Sequence, residues 1–228
     1  MTGTDTAADA PQPRRGRADK AAAVVHAACA VFGRDGFARA GIDAIAKEAG
    51  VSTRTIYNHF PGGKEELFRT VIQWSSWRVR DAQLAQLEHY LDPQRPPRPA
   101  DLERDLLALA RAWIGLTTDF PDHFAMVRQI YAEIGHLPVE VLEAWQAAGP
   151  RAVGARTTAA VAVLGEHGLL ELSEGPEQAA AHLLALTVSE VARRSYWGAV
   201  PLSAEENDRL LASGVRAFLR AYGVTATR

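Results

Sequence analysis

The chain has 228 residues, enough for a moderate domain plus a small one with a real hydrophobic core. Apolar residues make up 47% and charged residues 23%, the mix of a soluble globular protein, and no apolar run approaches the length of a membrane helix. A single cysteine, Cys29, excludes an internal disulfide and a cysteine-rich zinc site, and a net charge of −2 gives no overall pull toward nucleic acid.

Residues 1–18 are polar, basic and aperiodic, so a disordered tail is expected there. Without the apolar core of a secretory signal, this N-terminus points to a cytoplasmic protein. From Asp19 the pattern is helical, with Val24, Val25, Ala28, Val31 and Phe32 on one face, and Gly33 and Gly36 are expected to end that helix. Short helices are predicted over 42–49 and 53–59 with a turn at Gly50-Val51 between them. Pro61-Gly62-Gly63 breaks the chain, and a long helix follows from Lys64 to Leu91. The segment 92–100 has four prolines in nine residues and reads as a linker. Helices are then predicted near 101–118, 121–134 and 138–148, with Gly149-Pro150 splitting or kinking the next, which runs to about Glu166. Two more follow near 176–197 and 203–222, the last opened by a Ser203/Glu206 capping box. No stretch alternates with period 2, so the fold is expected to be all-α, with a three-helix unit over 19–63 and a helical body over 64–228.

Charge is unevenly spread. Residues 1–69 hold ten Lys/Arg against eight Asp/Glu, while the remainder holds fifteen against nineteen. That asymmetry suits a DNA-binding front end on a body with another task.

The informative stretch runs from Gly41 to Phe68. Ala46 is small enough for two helices to approach, Gly50 can take the left-handed turn, and Val51 fills the angle between them. Ile56 faces inward, and Ser52 is placed to cap the second helix through the amide of Arg54 or Thr55. Two helices this short need a third to pack on, and the helix from Asp19 supplies it. The result is a helix-turn-helix with residues 53–59 in the reading position. Thr53, Arg54 and Thr55 in its first turn are candidates for base edges, Arg54 through two bonds to a guanine and the threonines through contact with a thymine methyl. Tyr57, Asn58 and His59 are candidates for phosphates, and Lys64, beside a helix N-terminus, for another.

The run IAKEAGVSTRTIYNHF followed by KEELF resembles the N-terminal domain of the TetR/AcrR regulators, over roughly 20–72 and including VVHAACAVFGRDGF as the first helix. From about Phe124 to Gly223, with AWQAAGPRA and FLRAYG, the chain is similar to the C-terminal domain of the AefR-like branch. Two departures stand out. Where the family usually has Thr or Ser before the second helix, this chain has Ala40-Gly41, so a contact there would come from the Gly41 backbone amide. The break Pro61-Gly62-Gly63 is one residue longer than usual, which alters the reach of Lys64.

The resemblance implies a ligand pocket between the long helix from Lys64 and the helices after it, and a homodimer through the two C-terminal helices. The large aromatics of the body serve mostly as core. Trp77, Trp113, Phe124, Arg128, Tyr131, Trp145 and Tyr196 are the candidates to line a pocket, because polar groups accompany aromatics there at nearby helical turns. Leu183, Leu184, Leu186, Thr187, Val188 and Val191, with Leu210, Leu211, Val215, Phe218 and Leu219, provide apolar surface in excess of a single core.

Arg14, Arg15 and Arg17 read as a solvated tail rather than a minor-groove arm, and Cys29 as a small core filler. No histidine pair has metal-ligand spacing, so neither a metal nor a cofactor is expected. The absence of GxSxG, phosphate-loop and CxxC patterns leaves a helical enzyme as a distant alternative. The expected protein is a sequence-specific regulator on a near-palindromic operator of double-stranded DNA, a repressor released when an unidentified small molecule shifts the helix over 64–91. A ligand-independent DNA-binding factor and an activator are the other readings.

Overall fold

The computed structural model describes residues 15–224. Among them it is all-α, and the one β-type pairing is an isolated bridge between Leu170 and Gly223. Helix α1 spans Arg15–Arg39 and starts four residues earlier than the pattern at Asp19 suggested. The last four residues of the expected disordered tail are therefore helical, and the rest of that expectation lies outside the described residues.

Gly33 does not end the first helix, but Gly36 does interrupt it, as expected. Gly33 is buried in helix, where a Cβ would sit 3.0 Å from that of Ala125. The missing side chain lets another helix approach, and that packing outweighs the poor helix propensity of glycine. Gly36 does break the backbone, at φ 78 and ψ 169, but the chain resumes helical geometry beyond this kink.

Helices α2 (Ile42–Glu48) and α3 (Thr53–His59) form the predicted pair. Gly50 turns between them at φ 64, and the Ser52 hydroxyl accepts the Thr55 amide proton at 3.2 Å. Ile45, Ala46 and Ile56 are buried against Val24, Val31 and Phe32 of α1.

Helix α4 (Gly63–Tyr90) is 28 residues long and belongs to two cores. Leu67, Phe68, Val71 and Ile72 complete the front core, and Val79 and Leu87 enter the rear one. The proline-rich segment then crosses to α5 (Leu102–Asp119), stapled by ion pairs of Asp92 with Arg95 and of Asp101 with Arg98 and Arg104. Phe120 separates α5 from α6 (Pro121–Glu133), where Pro121 takes the first helical position. Met126, Val127 and Ile130 of α6 join the front core, as do Val141 and Trp145 of α7 (Val139–Ala148). The front core therefore extends well beyond the three-helix unit into the body.

Gly149-Pro150 splits rather than kinks: α7 ends there and α8 (Pro150–Glu166) begins with its proline at the first position. Helix α9 (Pro176–Leu184) leads without a break through a wide turn of π-helix, Ala185–Ser189, into α10 (Glu190–Arg194). Ala179, Leu183, Thr187, Val191 and Ser195 are all buried along this path, one at every fourth position. In a 3.6-residue helix such a stripe drifts by about 40° per step. The wider π turn takes up the drift and keeps the stripe inward. The Thr187 hydroxyl donates to the Leu183 carbonyl at 2.5 Å at the same place.

Helix α11 (Ala204–Tyr222) closes the rear core with Leu211, Val215 and Phe218, and Ser203 accepts from the Glu206 amide at 3.1 Å as the capping signal required. It passes so close to the π turn that a Cβ on Gly214 would collide with the Leu186 carbonyl.

Candidate nucleic-acid interface and buried cavity

Arg54, Tyr57 and Asn58 are exposed, while Thr53, Thr55 and His59 are half-buried. The buried Ile56 and Phe60 turn the helix so that these groups face outward. The Thr55 hydroxyl lies 2.9 Å from the Ser52 hydroxyl, so Thr55 and Ser52 share one local network. The Tyr57 ring stands over the start of α4, 3.4 Å from where a Cβ of Gly63 would be. Gly41 is exposed at the N-cap of α2 with open space where a side chain would be, so nothing blocks its backbone.

Lys64 is engaged by the protein itself in the absence of DNA. Its amine donates to the Ala38 carbonyl at 3.1 Å and lies 4.7 Å from the centre of the Phe37 ring. It ties the end of α1 to the start of α4. The Gly62 amide beside it is bound by the Glu66 carboxylate at 2.7 Å. In the free protein both groups are thus bonded to the protein itself. Arg39 and Lys47, exposed near the ends of α1 and α2, are cations of the front unit that sequence reasoning passed over.

Behind this unit lies a cavity of about 320 Å³. Of the seven residues predicted for it, Trp113, Phe124, Tyr131 and Trp145 line it. Arg128 does not: its guanidinium donates to the Trp197 carbonyl at 2.8 Å, where partial burial lowers its proton affinity. Trp77 and Tyr196 are exposed and do not line it, and Tyr131 lines it although 45% exposed. Trp77 and Tyr196 are each one residue away from a lining position; on α4 the step from Trp77 to Ser76 is about 100° of rotation, whereas Tyr196 and Trp197 sit in a turn at φ 49 and φ 51 beyond the end of α10. Ser76, Val79, Arg80 and Gln83 were legible as one face of α4, since they are spaced by three and four.

The polar lining is sparse. The Ser76 hydroxyl is buried and has no hydrogen-bond partner. Arg80 holds Asp81 Oδ1 through Nε and Nη2, at 2.8 and 2.7 Å, and reaches the Ala148 carbonyl at 3.4 Å. His123 is buried with Nδ1 3.2 Å from the Ser75 hydroxyl oxygen, and burial pushes its pKa down to about 4. Cys29 lies at a separate small pocket; burial, then the charge of Asp122, pushes its thiol up to about 12, so it is no thiolate.

Residues 24–71 match the model of the bacterial regulatory proteins of the tetR family, and residues 104–224 match that of the C-terminal domain of AefR-like transcriptional repressors. The chain belongs to the TetR family of transcriptional regulators. It is accordingly a DNA-binding regulator and not an enzyme. No curated protein sequence matches it. Among solved structures it resembles a TetR-family regulator from Mesorhizobium loti MAFF303099 at 27% identity and a TM-score of 0.78, covering 93% of this chain and all of that one. The flavonoid-responsive regulator FrrA is 29% identical, with a TM-score of 0.66 over 92% of this chain and all of its own. A TetR-family regulator from Pseudomonas syringae pv. tomato str. DC3000 is 27% identical, with a TM-score of 0.63 over 91% and 98% of the two chains. Dimerisation and effector binding are general features of the family. Among the described residues of this TetR-family chain, no helix is long and apolar enough to cross a membrane.

Proposed function

We propose that this TetR-family regulator is a homodimeric repressor that leaves its operator when a small molecule enters the cavity behind the reading head. Residues 19–63 serve as the DNA-binding domain and 64–228 as the effector-binding and dimerisation body. Arg54 with Thr53 and Thr55 reads bases. Tyr57, Asn58 and His59 hold phosphates, joined by the Gly41 amide and by Lys64 once its amine swings from Ala38 to the DNA.

The observation that carries the reading is the position of α6. Phe124, Val127 and Tyr131 on one face line the cavity. On another, Ala125 packs on Gly33 of α1, Gln129 donates to the Gly33 carbonyl at 3.4 Å, and Glu133 accepts the Phe37 amide proton at 3.1 Å. Helix α4 likewise lines the cavity with Ser76 and Gln83 and packs on α1 with Phe68 and Ile72. A ligand that moves either helix moves α1 and, through it, α2 and α3. To turn operator occupancy from nearly full to nearly empty, the ligand must favour the released conformation by about 5 kcal/mol. The flavonoid-responsive name of FrrA supports a small-molecule trigger.

The dimer uses what α9, the π turn and α11 leave uncovered. Leu183, Thr187, Val191, Leu211, Val215 and Phe218 are taken up by the chain's own core, so the shared surface falls on Ala181, Ala185, Leu186 and the half-buried Leu210 and Leu219. Sedimentation and selection of operator DNA from a random pool test both parts. A dimer that enriches a near-palindrome is expected; a monomer at micromolar concentration, or no enriched sequence, overturns the reading.

A further inference from the structure

Tyr196 and Trp197 follow α10 in an uncommon backbone. Their φ angles are 49 and 51, and among the described residues no other non-glycine residue has a positive φ. Gly198 continues the run at φ 80. Left-handed geometry crowds a Cβ against the following carbonyl, so residues other than glycine adopt it singly rather than in pairs. The turn has bonds of its own, from the Trp197 amide to the Ala192 carbonyl at 2.7 Å and from the Val200 amide to the Ser195 carbonyl at 3.0 Å. The rest of its support comes from across the fold.

Two outside contacts fall on Trp197, and both come from α6. The Arg128 guanidinium donates to the Trp197 carbonyl at 2.8 Å, and Tyr131 stacks on the Trp197 ring with centres 4.8 Å apart. Arg128 and Tyr131 are three residues apart and so share a helical face. Among the described residues no carboxylate pairs with Arg128. A half-buried guanidinium without a carboxylate needs another acceptor, and the Trp197 carbonyl is the one it has. The same helix is bonded to α1 through Gln129 and Glu133. One helix therefore joins the left-handed turn to the reading head.

We infer that Arg128 is a positioning residue for DNA binding: by holding the Trp197 carbonyl it keeps the left-handed turn closed, and the closed turn, gripped by Tyr131, fixes α6 and with it α1 and the reading helix α3. Without that bond the turn relaxes toward ordinary backbone, the Trp197 ring leaves Tyr131, and α6 can shift against α1. This rests on α3 being the DNA-reading helix and needs no ligand.

The test uses the full-length protein, operator DNA selected from a random pool, and hydrogen exchange of short segments followed by mass spectrometry. Arg128→Met keeps the side-chain stem and removes the donor. A bond from a charged donor favours its closed state by about tenfold or more, so exchange over 197–200 should quicken about tenfold and operator affinity should fall about tenfold. Exchange over 36–40, at the far end of the α6 contacts, should quicken with it. Tyr196→Gly removes a mostly exposed side chain and lets glycine take the turn without strain. Alone, it should slow exchange over 197–200 about threefold; combined with Arg128→Met, it should bring operator affinity back to within about threefold of the wild type. Lost charge or lost packing at Arg128 would not be mended by removing an exposed ring, which separates positioning from both. Unchanged operator affinity in Arg128→Met, quickened exchange at the turn with none at 36–40, or no recovery in the double variant would each overturn the inference. Were Arg128→Met unable to fold, unchanged or faster exchange over 197–200 in Tyr196→Gly would overturn it alone. A pool that yields no enriched sequence sinks the assignment of α3 instead, and the exchange measurements still decide whether Arg128 holds the turn and α6.

Discussion

Replacing Gly36 by alanine probes the joint between cavity and reading head. Gly36 has φ 78 and ψ 169, a backbone region almost closed to residues with a Cβ, and forcing one in costs about 1–3 kcal/mol. A Cβ there would also run into the carboxylate of Glu133. That group is the end of a flexible side chain and can swing away, but doing so breaks its 3.1 Å bond from the Phe37 amide. A bond to a charged acceptor contributes about 1.5–3 kcal/mol. Gly36→Ala should therefore destabilise by about 2.5–6 kcal/mol in urea unfolding followed by circular dichroism. Glu133→Ala removes only the bond, so it should cost about 1.5–3 kcal/mol. In the double variant the bond can be lost only once, so its loss should exceed that of Gly36→Ala by no more than about 0.5 kcal/mol. Full additivity, or a Gly36→Ala cost below about 1 kcal/mol, would refute the picture of a kink held open by Glu133.

Four further outcomes are expected. Burial holds the His123 pKa at about 4 against an ordinary 6.5, so on acidification the unfolded chain takes the proton first and stability falls between those values. From about pH 8 to about pH 5 the wild type should lose about 2 kcal/mol more than His123→Gln in urea titrations, and equal losses would show that His123 is not buried. In the ligand-free protein Ser76→Ala should raise stability by about 1 kcal/mol, and a loss of that size would mean that the hydroxyl is already bonded. Arg54→Ala should relax operator preference at one base pair, by about 1–3 kcal/mol in competition binding, and an unchanged selected sequence would remove it from base reading. Gly214→Ala must push α11 off the Leu186 carbonyl, and an unfolding loss of about 3 kcal/mol is expected; a neutral result would place these helices further apart.

The helices were legible in the sequence because each signal in it was local. The periodicity of α4 and α5, the cap at Ser203, the turn at Gly50 and Pro150 at a helix start all act within a few residues. What escaped was decided across the fold. Gly33 reads as a breaker until Ala125 is found against it, 92 residues away. Nothing near Lys64 in the sequence shows that its amine rests on the Ala38 carbonyl, 26 residues back. In the cavity, aromatic size drew attention to Trp77 and Tyr196, when helical phase puts Ser76 inward and the left-handed turn after α10 puts Trp197 there. The Ser76 hydroxyl carries no sequence signal at all, since an unbonded serine and a capped one are the same letter.

The single wide turn at Ala185–Ser189 has a consequence for how this chain can change over time. Deleting one residue there would restore an ordinary helix and rotate everything beyond it by about 100°. Val191 and Ser195 would leave the core, and Trp197 would be carried away from Tyr131 and the cavity wall with them. Substitutions in the turn disturb one contact apiece, whereas a change of length scrambles all of them together. Descendants of this chain are free to respell the segment, but they must keep its letter count.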